Sequence, residues 1–174
     1  MRDASPRNII MIIVILILLA IPGTTLAGQN QAAADSRVNY WMNVGLGVGS
    51  HGFAGNISGN LQYKSFLMTI HYSADAELFG NDYDEYGILF GAALKRARFS
   101  LSGAAGIASV GGNVGGGLFT TPTKLPRVIG IPFECQLFYR PFKFFGVGLC
   151  GFALLNKYST FYGATLSIQF GDLR

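Results

Sequence analysis

Residues 161–170, near the end of the chain, alternate strictly between apolar and polar side chains. Tyr162, Ala164, Leu166, Ile168 and Phe170 take the even positions, and Gly163, Thr165, Ser167 and Gln169 take the odd ones. Side chains of a strand point to alternate faces, so one face of this strand is greasy and the other polar. The greasy face begins and ends on an aromatic ring, as in a strand that crosses a bilayer with rings at both interfaces. The same period of two recurs along almost the whole chain after residue 38. A chain patterned in this way predicts an all-β protein: an eight-stranded, antiparallel, up-and-down transmembrane β-barrel over residues 38–174.

Seven further segments carry the pattern. In 38–49, Val38, Tyr40, Met42, Val44, Leu46 and Val48 oppose Asn39, Trp41, Asn43 and three glycines. In 53–63, Ile57 and Leu61 oppose Asn56, Ser58, Asn60 and Gln62; in 66–75, Phe66, Met68, Ile70 and Tyr72 oppose Thr69, His71 and Ser73. Residues 86–95 set Tyr86, Ile88, Phe90 and Leu94 outward, and 97–110 set Phe99, Leu101, Ala105 and Ile107 against Arg98, Ser100 and Ser102. Residues 128–140 and 143–155 complete the set, the latter with a less polar second face. The connections alternate between short and long, the habit of outer-membrane barrels with short periplasmic turns and longer outer loops. Starting the first strand in the periplasm puts every short turn there and returns the last strand beside the first. The even count closes the sheet, which lipid demands because an open edge cannot be satisfied in hydrocarbon.

Composition agrees with this reading. Only 13% of the residues are charged, against roughly 25% in ordinary soluble proteins. A soluble β-sandwich would carry more charge on its wet face and would rarely hold so many aromatics at strand ends. Glycine is abundant, at 24 residues, and suits the crowded interior of a small barrel. At the start of the chain, Arg2 and Arg7 precede an apolar run from Ile9 to Ile21, broken by Pro22 and Gly23 and followed by Thr25, Leu26 and Ala27. That order is a secretory signal peptide, 1–27, cleaved after Ala27; about 13 apolar residues fall short of the ~20 a membrane helix needs. Residues 28–37 read as a disordered periplasmic lead-in. Loss of 1–27 removes Arg2, Arg7 and Asp3, taking the formal charge from +4 to +3. Nothing in so mild a charge suggests nucleic acid as a partner. The two cysteines, Cys135 and Cys150, fall on opposite faces of their strands and are expected to stay unpaired.

The Gly-rich strands, the ending 163–174 and the segment 129–149 together resemble the small outer-membrane β-barrel proteins common in Gram-negative bacteria of the Bacteroidetes type. The resemblance spans residues 38–174. It implies the barrel architecture, outer-membrane lipids and lipopolysaccharide as surroundings, and the outer-membrane assembly machinery as a partner. One departure is visible: the terminal aromatic that this machinery reads is Phe170 here, followed by four more residues.

Two groups of residues could carry chemistry. Lys95, Arg98, Glu134, Gln136 and Arg140 fall on inward faces, and buried charges there must pair. They are expected to form a packed polar cluster with Glu134 neutralised by Arg98 or Arg140. The alternative is a narrow pore for small solutes, for which an eight-stranded lumen leaves little room. His71 and Ser73, with Glu85 twelve positions after Ser73, resemble the His-x-Ser pair and later Glu of lipid A deacylases, themselves eight-stranded barrels. A serine nucleophile needs a base and the base an orienting carboxylate. Against this stands the outer wall: Ile70 and Tyr72 occupy the side an embedded lipid would reach, which turns His71 inward as a structural residue. Asp75, Glu77, Asp82, Asp84 and Glu85 read as a solvated acidic outer loop without the spacing of a calcium site, and the glycine-rich 111–117 as a flexible one. Leu78, Phe79 and Tyr83 among those acids offer an extracellular ligand a contact surface. No metal, cofactor or enzymatic activity is expected. The expected role is structural, or interaction at the cell surface.

Overall fold

The computed structural model describes residues 38–77, 81–114, 123–157 and 160–172. Eight strands follow one another: β1 (Val38–Gly49), β2 (Phe53–Tyr63), β3 (Phe66–Ala76), β4 (Asp82–Arg96), β5 (Phe99–Val114), β6 (Thr123–Phe142), β7 (Phe145–Asn156) and β8 (Thr160–Asp172). Each pairs antiparallel with its neighbour in the chain, and β8 pairs with β1 to close the barrel. The signal peptide and lead-in expected over 1–37 lie outside the described residues.

Alternation along each strand sorts the side chains, and it sorts them inside out. On β1, Leu46 is 76% exposed while Asn43 is wholly buried. The outer wall is built from residues such as Val38, Met42, Ile57, Phe66, Ile70, Ile88, Phe90 and Leu166. The interior holds Asn43, Asn56, Ser58, Thr69, Thr165 and Ser167. A soluble protein places these sets the other way round. A continuous apolar wall around a polar core is stable only where the surroundings are themselves apolar.

Three two-residue turns, 64–65, 97–98 and 143–144, lie at the end where β1 begins and β8 finishes. This is the short-turn end. Residues 50–52 join β1 to β2 at the opposite, long-loop end, where β3, β5 and β7 also finish and β4, β6 and β8 begin. Lys64 and Ala97 open two of these turns at φ of 56° and 51°, the left-handed region that non-glycine residues enter at a cost of about 1–2 kcal/mol.

Several strand limits differ from the sequence expectation. β4 starts at Asp82 rather than at residue 86, and β6 spans Thr123–Phe142 rather than 128–140. The extra residues continue as ladder above the greasy band, with Asp82 opposite Asn113 and Asn113 opposite Lys124. Backbone pairing does not need apolar side chains, so it outruns the pattern that revealed it. β5 begins at Phe99, not at residue 97, because Ala97 and Arg98 form the turn.

Candidate functional site

The one concentration of chemistry among the described residues lies inside the barrel. β3 contributes Thr69, His71, Ser73 and Asp75 from successive inward positions, all buried. Glu85 stands opposite Ser73 on β4, and Gly87 stands opposite His71; a Cβ at Gly87 would press on the β5 backbone at Ile107 and Ala108. From across the lumen β6 contributes Glu134 and Gln136.

His71 spans the gap. Its Nε2 lies 2.7 Å from Glu85 Oε1, and its Nδ1 meets Glu134 Oε2. Ser73 Oγ donates to the same Glu85 oxygen at 2.8 Å. Two ring nitrogens facing two carboxylates are both satisfied only as donors, so the ring fits its place as an imidazolium, while Glu85 Oε2 is buried without a hydrogen-bond partner among the described residues. Gln136 Nε2 donates to Glu134 Oε1. Its own Oε1 accepts from Asn43 Nδ2 at 2.8 Å, which also reaches Ser58 Oγ at 3.2 Å. Thr69 Oγ1 donates to Asn60 Oδ1 at 2.8 Å. A second group joins β2, β7 and β8: Thr165 Oγ1 donates to Asn56 Oδ1 at 2.7 Å, and Asn56 Nδ2 donates to Cys150 Sγ at 3.2 Å.

Apolar layers close both sides of this polar middle. Trp41, Leu67, Leu89, Ala93 and Ala104 cluster toward the short-turn end. Ala54, Ala108, Val110, Phe152, Leu154 and Phe161 cluster toward the long-loop end. Rings continue the second layer to the mouth, where Phe161 lies edge-on to Phe152 at 6.3 Å, Tyr83 stacks on Phe161 at 6.2 Å and His51 leans on Tyr83 at 4.7 Å. Asp75 pins that mouth, accepting from Ser50 Oγ and from the His51 backbone N–H, each at 3.0 Å. A cavity of about 10 Å³ beside Trp41, Ser100 and Gln169 has room for a single water.

The expected site residues divide. Glu134 and Gln136 meet in the network, but Glu134 is held by His71 and not by an arginine. Arg140 is buried near the short-turn end, where its Nη2 donates to the carbonyls of Ala97 and Phe99, each at 3.2 Å. Lys95 lies at the same end with its ammonium 5.6 Å from the Trp41 ring centroid. Arg98 is not in the lumen: it is exposed in the 97–98 turn, and its Nη1 donates to Tyr139 Oη at 3.3 Å. Alternation carried back through residue 97 put it inside, whereas the turn resets the face.

His71, Ser73 and Glu85 do come together, in the wrong order for a hydrolase. Ser73 hydrogen-bonds the carboxylate and not the imidazole, both imidazole nitrogens are occupied by carboxylates, and all three residues are buried. No nitrogen is left to take a proton from Ser73.

The acidic outer loop is also revised. Asp75 and Glu85 are wholly buried in the lumen and only Glu77, Asp82 and Asp84 remain at the mouth. Tyr83 packs inward on Phe161, while Leu78 and Phe79 lie outside the described residues, as does part of the glycine-rich stretch. Asp75 and Glu85 share the parity of His71 and Ser73 and oppose that of outward Tyr86, a signal their charge obscured. Cys135 is exposed on the outer wall and Cys150 is buried in the lumen, both as free thiols.

The fold and its packed interior define the class: a closed, eight-stranded barrel of the kind found among small outer-membrane proteins. The N-terminal β-barrel domain of Pseudomonas aeruginosa OprF superposes with a TM-score of 0.57 at 9% identity, over 76% of this chain and 96% of that one. Ail, the attachment invasion locus protein of Yersinia pestis in complex with the heparin analogue sucrose octasulfate, gives 0.53 at 10% identity, over 77% and 96%. Neisserial surface protein A gives 0.51 at 13% identity, over 76% and 94%. No protein-family model and no curated protein sequence matches the chain.

Proposed function

We propose that this protein is a non-conducting outer-membrane barrel that acts through its surfaces, as a structural element of the membrane or by interaction at the cell exterior. The observation that carries this reading is the Glu85–His71–Glu134 bridge, which crosses the lumen between two apolar layers. Ions or solutes would have to break a buried charged hydrogen-bond network and then pass two greasy constrictions. The inverted outer wall supports residence in a bilayer, and the general habit of such barrels assigns the short-turn end to the periplasm. Export by residues 1–27, assembly by the outer-membrane machinery and an annulus of phospholipid and lipopolysaccharide belong to the same reading. Kinship with barrels of the Bacteroidetes type rests on segments 129–149 and 163–174.

The long-loop end offers the ground for an extracellular ligand. There β4, β5 and β6 rise as a paired ribbon carrying Asp82, Asp84, Asn113, Lys124 and Arg127, with Arg127 paired to Asp84 and lying 4.1 Å over the Tyr86 ring. Planar-bilayer recording of the purified barrel tests the reading: the expected trace shows no stable conductance. Large, long-lived channels overturn it, and so does fatty-acid release from lipid A that depends on Ser73.

A further inference from the structure

We propose that the short-turn end is a docking rim for acidic phospholipid headgroups of the membrane leaflet it faces. This rests on the reading of the chain as a membrane-spanning barrel with that end in the periplasm.

All three short turns pair a cation with exposed aromatic rings. In the first, Lys64 is exposed with its ammonium 5.5 Å from the Tyr63 ring centroid, and Phe66 stands on the other flank. In the second, Arg96 and Arg98 are exposed on either side of Ala97. Arg98 holds the hydroxyl of Tyr139, whose ring packs against Phe99 at 5.3 Å. In the third, exposed Lys143 lies between Phe142 and Phe144, stacked at 5.8 Å. Aromatic rings of this kind settle where hydrocarbon meets headgroups, so the cations beside them lie at the depth of the lipid phosphates.

The turns join β2 to β3, β4 to β5 and β6 to β7, so they occupy three of the four alternate gaps around the circumference, the fourth being the β8–β1 seam that carries Asp172. Positive charge therefore runs most of the way round the rim facing the lipid annulus, broken only at the β8–β1 seam, and is not a patch fitted to one protein. Asp172 is the single described acid at this end. At the long-loop end Glu77, Asp82 and Asp84 are matched by Lys124, Arg127 and Lys157, so the excess of positive charge belongs to the short turns. A headgroup with net negative charge fits them. A zwitterionic one brings an amine that the same cations repel. Arginine adds a fork that grips a phosphodiester through two parallel N–H bonds.

The test uses the purified protein in phosphatidylcholine vesicles doped with spin-labelled phosphatidylglycerol or spin-labelled phosphatidylcholine, reading the immobilised lipid fraction by electron paramagnetic resonance. One cation beside an acidic headgroup is worth roughly a fivefold preference at low salt, so wild type should select phosphatidylglycerol by at least about threefold. The preference should fall toward unity in a Lys64→Gln, Arg96→Gln, Arg98→Gln, Lys143→Gln variant, and in wild type at ~1 M salt, where the screening length is about 3 Å. Arg96→Gln and Lys143→Gln alone, at exposed turn positions, should each lower it in part and keep the test open if the fourfold variant folds poorly. Asp82→Asn with Asp84→Asn, at the other end, should leave it unchanged.

Equal immobilisation of the two lipids by the wild-type barrel overturns the proposal, as does a preference indifferent to the four substitutions. Failure of the underlying reading looks different. A chain that does not span membranes immobilises neither lipid, and an inverted barrel is biotinylated on intact cells at Lys64 and Lys143 instead of Lys124 and Lys157.

Discussion

His71 joins β3 to β4 and β6 through two carboxylates, and all three side chains are buried. Removing one partner from a buried ion pair leaves an uncompensated charge, typically at a cost of about 3–5 kcal/mol. His71→Ala should therefore lower the stability of the folded barrel by about that amount, read from urea unfolding in detergent or lipid. A triple variant, His71→Leu with Glu85→Gln and Glu134→Gln, removes the charges together and should cost less than the single change. A loss below about 1 kcal/mol for His71→Ala would mean that the bridge does not form, since even an ordinary lost hydrogen bond reaches that size. Gly45 speaks for the same tight filling. A Cβ there would meet Asn56 Oδ1 and the Ser167 and Thr165 hydroxyls at less than van der Waals distance, so even one methyl group has no free place.

Two glycines show how the strands themselves are constrained. At Gly106 on β5, an added Cβ would lie 2.7 Å from the Leu89 Cα and closer still to the Ile88 carbonyl oxygen of β4. Backbone cannot step aside as a side chain can, so Gly106→Ala should cost roughly 1–3 kcal/mol, the usual range for overpacking. Gly59 on β2 has nothing within 4 Å of the corresponding position. Gly59→Ala should be neutral within about 0.5 kcal/mol, as for a substitution clear of any packed feature. The pair forms a controlled comparison of one chemical change in one barrel. Equal unfolding free energies for the two variants would show that β4 and β5 do not approach so closely. Turn geometry works at the same scale. Lys64 and Ala97 take positive φ, as the two-residue hairpin turns that match the strand twist do, whereas the 143–144 turn follows a register shift in β6 and has no positive φ.

For the whole molecule, the apolar wall and polar core require an environment that water cannot supply. The folded protein should migrate faster than the boiled protein on a detergent gel and should show β-type circular dichroism only in detergent or lipid. A chain that folds and stays soluble without either would remove the basis for a membrane barrel. The ends differ in charge as well as in loop length, with exposed Lys64, Arg96, Arg98 and Lys143 at one and matched acids and bases at the other. That asymmetry arises from which turns the chain makes short, since a two-residue turn sets its side chains at the membrane surface whereas a ribbon carries them beyond it.

The face of each strand residue was legible along the chain, because the side-chain period of two is local and needs no knowledge of neighbours. Eight greasy stripes, together with alternating connection lengths, were enough to close the barrel on paper. Face reading failed where locality failed. Alternation alone sets Arg98 inward, but its turn resets the face, and the charge of Asp75 and Glu85 suggests a loop although their parity places them in the lumen. Which inward side chains meet could not be read at all. Glu134 reaches His71 across 63 positions, and Asn56 reaches Cys150 across 94. Those contacts depend on the stagger between strands and on the width of the closed barrel. No stretch of sequence encodes either quantity, so only the assembled sheet could choose a histidine, and not an arginine, as the partner of Glu134.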